Sequence, residues 1–430
     1  MSGASVPMMT GIPCQRFHIH LGFITLLGFF LRTLLLPSQP VTWDDYSVGL
    51  TAINYMESGQ LGPIMWNHPE LGNILVYSAL RLFGTGLVGL KGMSVIVGVL
   101  SITLVGLVSR QLLRNETMAL LAALLWALDP LAIDMSRQAV HEIYMAFFPL
   151  AGIYCISRYR MGRNHWWLLA AGAGFGLGLA SKWSVAFPLV VSLAFLINDF
   201  RRKGASGVPV PARMLFAAVS LMVLPAVIYI LTFIPWFGQG HSVGEWLELH
   251  KDMYVETKLH VGYEELSRRD HRAYEWFIRP VSWRDSTFNN DTGEPMVEAE
   301  SGKYFIDLIG VGNPFVWFLV IPAVLYLVRK CVQRRDEGLM YAAALFLASY
   351  LPLAFTYSRP IFVNAALSVM PFAMMAVAHL VVSTLCTTRA RKRIFALYLA
   401  LVVFATVPLY FLAIGKGAEF PFLRDYFLQN

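Results

Sequence analysis

The chain has 430 residues, of which 57% are hydrophobic and only 14% charged, with a formal net charge of +7. A mean hydropathy of +0.56 excludes an ordinary water-soluble globular domain and leaves an integral, multi-pass membrane protein. The positive balance gives no reason to look for nucleic acid, because the basic residues are gathered in particular short connections.

The first apolar run, 19–36, is longer than the roughly 7–15 residues of a secretory h-region and lacks an Ala-x-Ala-like exit, so it reads as a retained membrane helix. The loop 37–86 follows, opening with VTWDDYSVGL at 41–50 and predicting a short amphipathic helix from Tyr46 to Met56. Further apolar runs lie at 87–109, 117–133, 143–157, 166–181, 184–198, 214–234, 306–328, 339–355, 361–385 and 394–414. Most approach the roughly 20 residues of a spanning helix, which predicts an all-α polytopic membrane protein of about eleven transmembrane helices. The whole of 1–430 reads as one transmembrane domain, with 37–86 and 235–305 as its large loops and the latter as a helical cap.

Basic residues fall in alternate connections: Arg110 and Arg114; Arg158, Arg160 and Arg163; Arg201 to Lys203; Arg329 to Arg335; Arg389 to Arg393. The positive-inside rule makes these cytoplasmic. The segments 37–86, 134–142, the Lys182 junction, 235–305, 356–360 and the tail are then extracytoplasmic. Cys14, Cys155, Cys331 and Cys386 lie on or near the reducing side without metal-ligand spacing, so neither a disulfide framework nor a zinc site is expected. Asn290-Asp291-Thr292 fits a glycosylation sequon, a pattern common by chance.

Ionisable groups bordering membrane helices are costly and usually face a cavity or a partner. Four clusters qualify. Asp44 and Asp45 follow the first helix, with WNHPELGN (66–73) and its His68 later in the same loop; Asp also serves turns by local hydrogen bonding. SRQAVHEIY (136–144) is a very short external turn placing Arg137, His141 and Glu142 at the membrane surface, where an Arg–Glu pair could equally lock the turn. In GLASKWS (178–184), preceded by the glycine-rich AGAGFG, Lys182 could simply snorkel with Trp183 as an interfacial anchor. The last cluster pairs Arg279-Pro280 with Arg359 in YSRPIFVN (357–364). Cations on the side that the orientation rule disfavours need a reason. Arg137, Lys182, Arg279 and Arg359 converging at one face would suit a lipid-linked phosphate, with a first-loop carboxylate as general base.

In chain order VTWDD, HPELGN, SRQAVHE, GLASKW, WFIRPVSW, GVGNPFVW and SRPIFVNAALSVMPF resemble the motifs of the protein O-mannosyltransferases, polyprenyl-phosphate-dependent enzymes of the GT-C glycosyltransferase fold. The resemblance spans nearly the whole chain. It implies an inverting glycosyltransferase that moves a sugar, expected to be mannose, from a polyprenyl-phosphate donor to Ser or Thr hydroxyls of translocated proteins. Asp44 takes the base position, and Asp45 stands where the family has Glu. Arg137, Lys182 and Arg359 would lie near the phosphate; Glu142 and His68 would orient partners, and Trp183 matches the family's Lys-Trp pair. The family's external His falls on His260 or His271, and its Arg-Pro on Arg279 and Pro280. HPELGN differs from the family's His-Pro-Pro-Leu-Gly-Lys at Glu70 and Asn73, and Trp66 replaces an acidic residue. A lipid or glycan acceptor, as in the aminoarabinose transferases that modify lipid A, therefore stays open; a transporter fits less well because no internal repeat is evident. No cofactor is implied, and the adjacent aspartates leave a divalent metal open. Partners are the donor, a protein acceptor and membrane lipids, in a bacterial or archaeal plasma membrane.

Overall fold

The computed structural model describes residues 14–62, 66–202, 210–259, 272–286, 306–355 and 361–429. His260, His271, Arg359 and the sequon at Asn290 lie outside these residues.

Helix α1 (Cys14–Thr33) turns Phe23 and Phe30 outward, 66% and 58% exposed. Comparable apolar side chains stand on the outside of later helices, among them Leu215, Met222, Leu325 and Phe404. Such a surface is unfavourable in water and natural in hydrocarbon, where helices satisfy their own backbone. Among the described residues, seven helical stretches are long and apolar enough to cross a membrane: Arg16–Ser38, Leu87–Leu113, Trp183–Arg202, Pro211–Leu231, Pro314–Arg334, Glu337–Phe355 and Arg389–Ala413.

The first large loop is ordered by two helices, α2 (Trp43–Ser58) and α3 (Leu71–Phe83). Thr42 starts α2 through a reciprocal capping box with Asp45, and Gly59, at a φ of 70°, ends it. After α4 (Leu87–Leu113) and α5 (Glu116–Leu128) comes a break that the apolar pattern 117–133 concealed. Asp129 caps the short α6 (Pro130–Met135) by accepting from Ala132 N, and also accepts from Trp317 Nε1 at 2.7 Å. A polar anchor followed by proline thus divides the run.

Helices α7 (Glu142–Gly162) and α8 (His165–Leu179) form an antiparallel pair, and α9 (Ala186–Arg202) follows a 3-10 turn at Trp183–Val185. Helix α10 (Val210–Ala218) passes through a π turn into α11 (Leu224–Leu231). Pro225 lacks the N–H that a regular turn would use there. The glycines of α8 permit the close approach their spacing implies: a Cβ on Gly172 would lie 1.8 Å from the Ser220 carbonyl.

Outside the bundle, α12 (Ile234–Phe237) leads to α13 (Val243–Leu259), the helical part of the second loop. That loop also supplies strand β1 (Ser282–Ser286), which pairs antiparallel with β2 (Ile306–Val311), Ser282 facing Val311. The hairpin departs from an all-helical layout. It takes the first six residues of the run 306–328, and the helix begins only at Asn313-Pro314, where Asn313 caps α14 (Pro314–Trp317). Helices α15 (Val320–Arg334), α16 (Glu337–Phe355), α17 (Met370–Leu385), α18 (Arg389–Ala413) and α19 (Pro421–Gln429) complete the chain.

The buried core is built largely from α4, α5, α7 and α17, with Trp126, Ile153 and Met374 fully enclosed. At the C-terminal end of α7, Arg160 and Arg163 pair with Asp199, and Arg160 and Arg202 with Glu337. Eighteen residues separate Arg160 from Glu142 at the other end of that helix, a rise of about 27 Å. Charged chemistry therefore gathers at two levels, a bilayer's apolar thickness apart.

Candidate active site

At the N-terminal level of α7 lies a cavity of about 240 Å³. Its walls come from segments distant in the chain: Asp44 on α2, His68 before α3, His141 and Glu142 at the start of α7, Lys182 and Trp183 between α8 and α9, and Asn364 before α17.

The adjacent aspartates are divided by helix geometry. Asp45 is completely buried, and its carboxylate accepts from Thr42 N at 3.1 Å and Ala139 N at 2.6 Å while pairing with Lys91 Nζ at 2.8 Å. It binds the start of α2 to α4 and to the turn carrying His141. Successive helical residues point about 100° apart, and Asp44, half-buried, lines the cavity instead. The sequence marks both as catalytic candidates; Asp45 does not line the cavity, its oxygens being committed to these three donors.

The cations are likewise separated. Lys182 lines the cavity and pairs with Glu142, whose Oε1 also accepts from Asn364 Nδ2 at 3.2 Å. Arg137 does not reach it. The turn expected at the membrane surface is buried, and the Arg137 guanidinium donates to Gln39 Oε1 at 3.0 Å and to the carbonyls of Arg32 and Leu34 at 3.0 and 2.8 Å. Those carbonyls end α1 without helical partners, so a buried guanidinium serves as their cap. Arg279 is 49% exposed, pairs with Glu275 at 3.0 Å and borders a separate apolar pocket with Trp276 and Phe427. Among the described residues, Lys182 alone of the expected cations lines the cavity; Arg359 lies outside them.

His68 and His141 stand side by side, ring centroids 5.5 Å apart. Gly72 leaves room for the second ring: a Cβ there would meet His141 Cδ2 at 2.2 Å. The two departures in HPELGN answer each other, since Asn73 Nδ2 donates to Glu70 Oε2 at 2.8 Å, both side chains being fully buried. Burial pushes the Glu70 carboxyl up to about 8, against the opposing pull of the Asn73 hydrogen bond.

Trp183 enters the cavity from a polar chain that sequence reasoning did not assemble. Its Nε1 donates to Tyr229 Oη at 3.0 Å, and Tyr229 Oη lies 2.7 Å from His250 Nε2. His250 Nδ1 is 2.7 Å from the Trp246 carbonyl, which can only accept. The Nδ1 therefore carries the proton, Nε2 accepts, and the tyrosine donates. His250 sits on α13, so the external helix is fastened to the cavity wall. The links join α11, α13 and the α8–α9 junction, and no local spacing reveals them.

Among the described residues no group of three or more His, Cys, Asp or Glu side chains is disposed to hold a metal ion. The neighbouring aspartates do not form a chelating pair, because Asp45 is held by Lys91 and two amides.

Residues 82–239 match the family model described as dolichyl-phosphate-mannose-protein mannosyltransferase. The polyprenol-phosphate-mannose–protein mannosyltransferase of Mycolicibacterium smegmatis is 25% identical over 364 residues, covering 72% of this chain and 70% of that relative. The fold resembles the protein O-mannosyltransferase Pmt1–Pmt2 complex of S. cerevisiae bound to the sugar donor, with a TM-score of 0.66 at 12% identity, over 95% of this chain and 91% of that one. It also resembles the oligosaccharyltransferase AglB of Archaeoglobus fulgidus, with a TM-score of 0.58 at 15% identity, over 94% of this chain but only 56% of that one. The architecture is that of the GT-C membrane glycosyltransferases.

Proposed function

We propose, from the chain's kinship with the dolichyl-phosphate-mannose-protein mannosyltransferases, that it transfers mannose from a polyprenyl-phosphate donor to Ser or Thr hydroxyls of polypeptides at the extracytoplasmic face of the membrane. The observation that carries this reading is one cavity holding a first-loop carboxylate, Asp44, together with the Lys182 ammonium.

The chemistry follows from that pairing. The acceptor hydroxyl oxygen attacks C1 of the sugar as the bond between C1 and the phosphate oxygen breaks, inverting the anomeric centre. The hydroxyl proton passes to Asp44, which lines the cavity. The polyprenyl phosphate departs with its growing negative charge facing Lys182. Glu142 keeps that ammonium from leaving the wall, and Asn364 fixes Glu142 in turn. Asp45 acts through position: it ties the base-bearing helix to the turn that precedes Glu142. Arg137 does the same for the end of α1.

The test is sugar transfer by purified protein from radiolabelled polyprenyl-phosphate mannose to a Ser/Thr-rich peptide, with lipid A offered in parallel. Asp44→Asn is expected to lower transfer by about 10²–10⁴-fold while donor binding persists. Unchanged turnover in that variant removes Asp44 from the mechanism, and labelling of lipid A instead of peptide moves the activity to the other acceptor class.

A further inference from the structure

Most polar side chains of the cavity have partners among the described residues, but the His141 ring has none there. The residue is 2% exposed, it lines the cavity, and neither ring nitrogen has a hydrogen-bond partner among the described residues. The ring packs beside the His68 ring and closely against Gly72. A neutral imidazole has one N–H donor and one acceptor nitrogen, and leaving such groups buried and unpaired costs about 1–3 kcal/mol apiece. Asn67 Oδ1, also in the wall of this cavity, is similarly buried without a partner. These unmet groups are uncharged, whereas the charged pair Lys182–Glu142 lies beside them. The cavity thus offers an ionic contact for phosphate and a separate neutral contact that both donates and accepts.

We propose that His141 is a specificity-determining residue that binds a hydroxyl of the transferred sugar and thereby completes its own hydrogen bonding; this rests on the glycosyl-transfer reading above. A hydroxyl suits the imidazole because it both donates and accepts, as the ring does. A cationic amino group in the same position has no acceptor lone pair for the ring N–H and finds Glu142 already neutralised by Lys182. Burial agrees, since it holds the His141 imidazole down to about 4, with Glu142 opposing and Lys182 adding to the depression, so that the ring is neutral at working pH. A site built to hydrogen-bond a hydroxyl discriminates strongly against an analogue that lacks it, because the protein group is left unpaired in the complex.

The experiment measures kcat/KM for a short-chain polyprenyl-phosphate mannose and its four monodeoxy analogues, lacking the 2-, 3-, 4- or 6-hydroxyl, with wild type, His141→Leu and His141→Gln. Wild type is expected to lose about 10–100-fold for at least one analogue, the cost of leaving one buried group unpaired. In His141→Leu, that penalty should fall to within about threefold of unity, while His141→Gln, which keeps a donor and an acceptor, should restore part of it. Polyprenyl phosphate without sugar should bind all three proteins alike, which separates a lost sugar contact from a collapsed site. Penalties identical in wild type and His141→Leu overturn the assignment, as does equal weakening of sugar-free lipid in the variants. A wild-type protein that transfers no sugar from any of these donors overturns the glycosyl-transfer reading and this one together, so the two failures are distinguishable.

Discussion

Removing the Asp45 carboxylate should be among the most damaging single changes around the cavity, and the structure indicates by how much. In Asp45→Ala the fully buried Lys91 ammonium keeps only the Pro40 carbonyl at 3.1 Å, while Ala139 N and Thr42 N lose their acceptor. Breaking a buried ion pair from one side typically costs about 3–5 kcal/mol, and an unpaired amide adds about 1–3; the terms overlap, so about 4–6 kcal/mol is expected. Lys91→Met strands the carboxylate instead, but that group retains two backbone donors, so about 2–3 kcal/mol is expected. The double variant leaves no stranded charge, and its cost should fall short of the sum by at least about 2 kcal/mol. Unfolding of the four proteins by SDS titration in mixed micelles measures all three quantities. Strictly additive costs would show that the pair is not the unit inferred here. Because Ala139 lies two residues before His141, kcat/KM should fall with Asp45→Ala even under conditions where the variant remains folded.

Three further outcomes follow from the site. Lys182→Met should raise the donor KM by at least about tenfold and destabilise the protein by about 2–4 kcal/mol through the Glu142 carboxylate it strands; steady-state kinetics and thermal melts read the two effects separately. His141 has a depressed folded-state pKa of about 4 against an ordinary 6.5, so the unfolded chain takes up the proton first as pH falls. Stability is then fully present above 6.5 and declines toward pH 4, by an upper limit of about 3 kcal/mol, and His141→Leu should flatten that part of the stability–pH curve. Glu70 behaves in the opposite sense, because its folded-state pKa is raised to about 8 from 4.5: its contribution is present below 4.5 and lost as pH rises toward 8. Glu70→Gln should therefore increase stability at pH 8 relative to pH 5 when both proteins are titrated.

The sequence reading was strongest where chemistry was local. Apolar length located the helices that face lipid, and the break after Lys182 was visible because a cation and Trp183 interrupt the run. The break at Asp129 was not, since one acid before proline hardly alters a window dominated by Leu and Ala; its partner Trp317 lies 188 residues away. The site shows the same limit. Asp44, Lys182, Glu142 and His68 were readable as polar residues beside membrane helices, and they meet in one cavity. What distinguishes Asp44 from Asp45, or Lys182 from Arg137, is which way a buried side chain turns, and that is decided by Lys91, Gln39 and the carbonyls at the end of α1. In the sequence Arg137 reads as a phosphate ligand, because the orientation rule disfavours a cation in its segment. A helix terminus answered the need instead.

The fastening of Trp183 to α13 carries a mechanical corollary. Displacement of α13 must either drag the indole along through Tyr229 and His250 or sever that thread. While both hydrogen bonds hold, any shift of α13 therefore also shifts the wall beside Lys182.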